Sequence, residues 1–534
     1  MKQIYWNGQV YTGTDALSEA FVVEDGRFIY AGGNEGALAC AGEADEKIDL
    51  QGRFVCPGFI DSHMHVLSYG LALTRAKLNE HTGSLEELVN HLIDFARENP
   101  SRAGGWIVGR GWNHDYFTDV SRMPNRYDLD RVSTEYPVVA VRCCGHSLVV
   151  NSKVIEMLGV TADTESPAGG SIGIENGEPD GRFYDNAMDA VYAAIPDPSK
   201  EDIKNMMRAA IKRLNAYGVT SAQTDDYSTP WRMVNEAYRE LEESGELTVR
   251  IYEQSNFQSV ESLKEFIHEG NVTGSGSELF KIGPLKLLGD GSLGARTAFL
   301  SRPYSDNPST CGLPVYTQEL LDDMISCAHE NGMQVAVHAI GDGCLDRVLS
   351  AFEKAQAAHP RADHRHGIVH CQITREDQLK KMIDMDLHIY AQSIFIDYDA
   401  NIVRQRVGDM ADTSYSWKTL MQGGLSVSNG SDCPVEMPNV LLGMQCAVTR
   451  TSLHGDGTPY LPDQAFTVSE AIDSFTIRGA EGSFEEQIKG RIQPGMLADF
   501  VVLDKSPFSV DPACIKDISV LATYLGGKRV YSAE

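Results

Sequence analysis

The chain has 534 residues, with 46 Lys+Arg against 75 Asp+Glu and a formal net charge of −29 at pH 7. That length buries a large core, in roughly two to four domains or one large barrel with additions. The negative charge opposes binding to nucleic-acid phosphates or to anionic membranes, so neither is an expected partner. The 11 cysteines lack paired spacing apart from Cys143-Cys144, which excludes a disulfide framework or a CxxC zinc module and fits a reducing compartment. The opening MKQIYWNGQVYTG lacks the apolar core of a signal peptide, and no run of about 18 apolar residues spans a membrane. A cytoplasmic protein is expected.

Residues 2–56 are predicted as short strands joined by tight turns, because QIYWNGQVYTG and AFVVEDGRFIYAGG place Asn-Gly and Asp-Gly between apolar runs. Strand-like segments recur at 498–504 and 520–532. The two ends are expected to meet in one small β domain, residues 1–56 with 485–534, a β-sandwich flanking the rest.

Between them, residues 57–484 alternate apolar strands with amphipathic helices, the pattern of a parallel sheet with crossover helices. Candidate strands fall at 59–63, 218–225, 247–254, 284–290, 333–339, 366–371, 387–393 and 425–432. Eight such strands predict an α/β fold, a (β/α)8 TIM-type barrel with its active site at the C-terminal strand ends. The interval from the first strand to the second is too long for one crossover, so residues 70–215 are an insertion. It is predicted to hold helices at 84–100 and 201–218 and strands at 106–112 and 137–143, and to cap the catalytic face.

The segment Pro57-Gly-Phe-Ile-Asp-Ser-His-Met-His65 closes the first strand. Side chains two apart on a strand share a face, so His63 and His65 point the same way, which suits two imidazoles gripping one metal ion. By themselves they read equally as surface histidines beside a turn. Distant partners decide: Asp225, Asp226, Lys286, Asp290, His338, His370 and Asp432 all fall at the ends of other predicted strands, where a barrel carries its chemistry.

PGFIDSHMH (57–65), GRGWNHD (109–115), CGHSLVVNSK (144–153), LKLLGDGSLGARTAFL (285–300), VAVHAIGD (335–342), RHGIVHCQ (365–372), SNGSDCPV (428–435) and PGMLADFVVLD (494–504) occur in this order. With them the chain resembles the amidohydrolase superfamily, in the amidohydrolase 3 branch that includes N-substituted formamide deformylase. The resemblance implies one or two metal ions and hydrolysis of amide-like C–N bonds. It implies that His63 and His65 hold an inner metal, that His338 and His370 hold an outer one, and that Asp432 lies between metal, water and substrate. Lys286 falls where relatives carry a lysine carboxylated by carbon dioxide, whose carbamate bridges two metals; its plain alternative is a strand lysine paired with Asp290 or another carboxylate. Cys143 and Cys144 are kept in view, since cysteine bridges metals in some relatives.

Imidazole and carboxylate ligands suit zinc best, with manganese, iron, cobalt or nickel as alternatives. Zinc brings the pKa of its water to about 7, and Asp432 is the expected proton shuttle, with turn formation in NGSDCP as its structural alternative. His146, in CGHS, is a candidate donor to a developing oxyanion or an ordinary structural histidine. Arg110, Trp112 and Asn113 are candidate substrate-binding residues from the insertion, as is Arg296 after the Gly-rich loop. Asp185 replaces a glutamate common in relatives, which leaves it on a helix face or behind the ligands. The expected function is hydrolysis of a non-peptide C–N bond in a small amide, formamide or cyclic amide. The alternatives are another bond at the same site (ester, lactone, phosphoester or a deaminated ring carbon) and a catalytically silent barrel with a binding role. A homodimer is the expected assembly.

Overall fold

The computed structural model describes residues 1–14, 16–99 and 105–533. The chain divides into two compact units, one of Met1–Val66 with Ile211–Glu534 and one of Leu67–Ala210.

In the first unit, eight parallel strands follow one another in a single sheet. They are β1 (Phe59–Met64), β2 (Val219–Thr224), β3 (Arg250–Asn256), β4 (Phe280–Leu288), β5 (Val335–Ala339), β6 (Gly367–His370), β7 (His388–Ala391) and β8 (Val427–Asn429). Each of the eight predicted strands is present. The strands are short and almost wholly buried on both faces, as strands enclosed by crossover helices must be. Beyond the ladder, β1 and β8 meet through the segments that follow them. Asp432 N donates to His63 O (2.8 Å) and His65 N donates to Cys433 O (2.8 Å). The buried Asp61 carboxylate accepts from Ser431 N (3.0 Å) and Ser431 Oγ (2.5 Å). Gly430 is required at this seam, because a Cβ there would stand 2.5 Å from His63 N. The sheet therefore closes as a TIM-type barrel.

The two chain ends build two further sheets in the same unit. One holds Arg27–Gly32, Ala20–Glu24, Gln3–Trp6 and Glu46–Asp49; the other holds Gln9–Val10, Phe54–Pro57, Phe500–Leu503, Val520–Leu525 and Lys528–Ser532. Phe54–Pro57 pairs antiparallel with Phe500–Leu503, so N- and C-terminal strands are neighbours. Tyr5, Phe21, Phe28 and Phe500 share one buried cluster between them, with the Phe500 and Tyr524 rings stacked at 4.3 Å. The Asp25-Gly26 turn forms the expected hairpin, both residues at positive φ. Asn7-Gly8 does not: the strands on either side of it belong to different sheets, and the chain crosses between them with Asn7 N bound to Asn34 Oδ1 (2.7 Å) and Gln9 N to Arg53 O (2.9 Å). Tertiary pairing overrides the local turn signal there.

The second unit has its own six-stranded sheet, whose members include Ile107–Trp112, Val138–Arg142, Ser147–Val150 and Glu178–Asp185. The Leu85–Glu98 helix, capped by Ser84, lays Leu85, Leu88, Val89 and Leu92 on one face of it, against Val138 and Ala140. Val139 and Val141, one residue out of step, serve the opposite core with Phe183 and Met188. The predicted helix end at Pro100 lies outside the described residues.

Arg250 at the start of β3 is buried and paired with Asp499, Nε to Oδ2 at 2.7 Å and Nη2 to Oδ1 at 3.0 Å. This pair ties the barrel to the C-terminal strands. Arg250→Ala strands a buried carboxylate and is expected to destabilise the first unit by about 3–5 kcal/mol, read as a lower denaturation midpoint; an unchanged midpoint would show that the pair contributes nothing.

Candidate metal centre

Barrel closure brings together residues more than 360 positions apart in the chain. His63 Nε2 and His65 Nε2 lie 3.5 and 3.2 Å from the same atom, Asp432 Oδ1, and the ligating atoms of these three residues all fall within 4.8 Å of one another. His370 comes next, its ring 5.6 Å from that of His63, and His338 follows with its ring 4.4 Å from that of His370. Two of these residues hold unusual backbone: His370 at φ 75 and Asp432 at φ 56. Asp tolerates that region; a histidine there is strained, the kind of cost met where a side chain must be aimed.

The second nitrogen of each ring is already committed. His63 Nδ1 meets Gln254 Oε1 (2.7 Å), His65 Nδ1 meets Asp225 O (2.9 Å) and His370 Nδ1 meets Gln392 Oε1 (2.8 Å). Carbonyl oxygens only accept, so each Nδ1 carries the hydrogen; Nε2 is then the free nitrogen of the neutral rings of His63 and His370, while that of His65 donates to Asp432 Oδ1 (3.2 Å). His338 is turned the other way, with Nε2 donating to Gly291 O (3.1 Å) and lying 3.3 Å from Asp290 Oδ1. Such outer partners fix the orientation of metal-binding imidazoles.

Electrostatics favour a cation at the focus. Burial holds His63 and His370 well below the usual histidine range, so both are neutral donors. Burial also opposes charge on Asp432 and His65, yet their mutual hydrogen bond outweighs it, holding the Asp432 carboxyl below the usual range and pushing His65 up to about 9. Positive charge is thus demanded beside Asp432 Oδ1, and a divalent ion meets that demand better than a proton. The donor set of neutral imidazoles and one carboxylate oxygen fits a transition metal.

Lys286 lies near the end of β4, fully buried, and its Nζ has no hydrogen-bond partner among the described residues. Burial lowers its pKa, with Asp225 and Asp432 opposing the shift. Pairing with Asp290 is not seen, because Asp290 accepts from Ile340 N (3.1 Å), Gly341 N (2.8 Å) and Phe299 N (2.8 Å).

Arg296 spends its guanidinium fork on Asp306, Nε to Oδ1 at 3.0 Å and Nη2 to Oδ2 at 2.9 Å. In the second unit, Trp112 is fully buried with its indole N–H on Ala140 O (2.9 Å), a core residue of that unit. Asn113 Oδ1 accepts from Arg142 (2.8 Å), and Arg110 is exposed. His146 is exposed and its Nδ1 lies 3.1 Å from Asp185 Oδ1, while Cys143 and Cys144 are exposed free thiols. Sequence reasoning missed Gln254, Gln392 and Asp61. Gln254 lies within β3 among Glu253, Ser255 and Asn256, Gln392 directly follows β7, and Asp61 is legible only once the seam is known.

The chain is similar to known proteins along nearly its whole length. The model of the Amidohydrolase family matches residues 46–531. The chain is 33% identical to YtcJ of Bacillus subtilis (strain 168), over 99% of both chains. It is 24% identical to the N-substituted formamide deformylase of Arthrobacter pascens, over 98% of this chain and 96% of that one. Among solved structures it is similar to an uncharacterized metal-dependent hydrolase from Pyrococcus furiosus, with TM-score 0.78 and 30% identity over 95% of this chain and 100% of the other. The chain belongs to the amidohydrolase family and is an enzyme, a hydrolase.

Proposed function

We propose that this enzyme hydrolyses a non-peptide C–N bond of a small amide, formamide or cyclic amide with the help of zinc held at the His63, His65 and Asp432 cluster. The observation that carries the reading is the convergence of His63 Nε2 and His65 Nε2 on one carboxylate oxygen, Asp432 Oδ1, in a buried strand-end site. The name of the formamide deformylase relative supports the bond class.

A divalent ion bound there supplies Lewis acidity, polarising a carbonyl and lowering the pKa of water. The protein residues do the rest. His63 and His65 hold the ion, oriented by Gln254 and the Asp225 carbonyl. His338 and His370, with their rings 4.4 Å apart, would hold an outer ion. Asp432, kept ionised, accepts a proton from the attacking water at a carboxylate oxygen and returns it to the departing nitrogen. Lys286 combines with carbon dioxide: its neutral amine loses a proton as the N–C bond forms, giving an anion with two oxygens. Its buried, unpartnered Nζ supports this, since a lone ammonium among imidazoles and cations finds no compensation.

Metal analysis of protein purified from zinc-supplemented medium is expected to find about one or two equivalents of a transition metal; metal-free protein that still hydrolyses amides would sink the reading. Asp432→Asn is expected to keep most of the metal and lower kcat by about 10²–10⁴-fold on N-formyl and N-acyl amines. Turnover at the wild-type rate would remove the proton shuttle. Metal-loaded protein equilibrated with ¹³C-bicarbonate is expected to show one carbamate carbon resonance, absent from Lys286→Met, and the same spectrum from both proteins would rule the carbamate out.

A further inference from the structure

On the C-terminal side of the barrel, a cavity of about 210 Å³ is walled by the segments that follow β4 to β8. It adjoins the metal cluster: Gln372 is two residues past His370, Ile340 two past His338, and the Phe395 ring lies parallel to that of His370 at 5.8 Å. Leu293, Ile340 and Phe395 make one side apolar.

The polar lining holds two carboxylates, Asp399 and Glu436, beside Gln372 and the hydroxyls of Ser292 and Tyr398. Asp399 is 9% exposed, and its Oδ2 takes hydrogen bonds from Gln372 Nε2 and Tyr415 OH, both at 2.8 Å. With its amide N–H so used, the buried Gln372 is left with Oε1 unpartnered among the described residues. Glu436, half-buried, has no hydrogen bond or ion pair among the described residues. Behind it Asp397 adds negative charge while bonding Ser452 Oγ (2.8 Å) and Leu453 N (2.6 Å). None of the described residues lining the cavity is Lys, Arg or His, and nearby arginines are engaged elsewhere, Arg296 and Arg406 with Asp306 and Arg404 with Asp412. Burial pushes the Asp399 carboxyl up to about 6 and raises that of Glu436, as expected of carboxylates facing no cation.

We propose that the substrate carries a cationic nitrogen on a short apolar frame: the frame packs on Leu293, Ile340 and Phe395, the charge seats against Asp399 and Glu436, and an N–H reaches Gln372 Oε1. This deepens the hydrolase reading, on which it rests for the cleaved bond, but binding of the cationic group requires neither metal nor turnover. A hydrogen bond between charged groups is worth roughly 10- to 100-fold in affinity.

Calorimetric titration of the full chain with benzylamine and with benzyl alcohol, at about pH 8 where the amine is charged and the carboxyls are not protonated, tests this directly. Benzylamine is expected to bind at least about tenfold more tightly than the alcohol, and Glu436→Gln and Asp399→Asn are each expected to reduce that ratio about tenfold. Glu436→Gln alters a half-exposed side chain and so reads the effect without the risk of misfolding. Equal affinities, no benzylamine binding, or an unchanged ratio in both variants would overturn the proposal. A matched panel of N-acyl amines separates the two readings. Selective benzylamine binding without hydrolysis of any amide contradicts the proposed reaction alone. Hydrolysis that ignores charge, with no preference in the titration, contradicts the cationic substrate alone.

Discussion

The structure depends on one seam. Asp432 faces His63 and His65 only because the last barrel strand closes on the first, through Asp432 N on His63 O, His65 N on Cys433 O and the Asp61 carboxylate on Ser431. The backbone groups that close the barrel belong to the very residues whose side chains form the candidate metal centre, so closure and site assembly are a single event. The absence of a side chain at Gly430 lets the strands approach, and the positive-φ backbone of His370 is held by the surrounding ladder.

The second constraint is electrostatic. A water-poor barrel mouth keeps His63 and His370 neutral, and the amides of Gln254 and Gln392 choose which ring nitrogen bears the hydrogen. The same low polarity leaves Lys286 without a partner. A buried site with one carboxylate, aimed imidazole lone pairs and an orphan amine is incomplete as a structural core and coherent as a cation site.

The sequence displays the barrel through short strand-like segments that alternate with amphipathic helices, and all eight strands are present. Strand-end placement likewise made His63, His65, Lys286, His338, His370 and Asp432 legible, since a polar residue closing such a run is conspicuous. Other features turn on contacts that no local pattern encodes. Asn7-Gly8 carries a hairpin signal yet joins strands of two different sheets. Trp112 sits in a motif rich in polar residues yet fills a core, because strand alternation turns its ring inward. Arg296 follows the Gly-rich loop but is matched by Asp306, a partner ten residues on that sequence alone does not single out. Gln254 and Gln392 acquire meaning only from the rings they orient.

The central claim is that His63, His65 and Asp432 together bind a metal ion through imidazole nitrogen and carboxylate oxygen. X-ray absorption at the zinc edge, on protein reconstituted with one equivalent, tests it most directly. The account predicts nitrogen and oxygen neighbours at about 2.0–2.2 Å, with imidazole outer-shell scattering from two or more rings that diminishes in His63→Ala. A shell containing sulfur at about 2.3 Å, or a spectrum unchanged by that substitution, would contradict it.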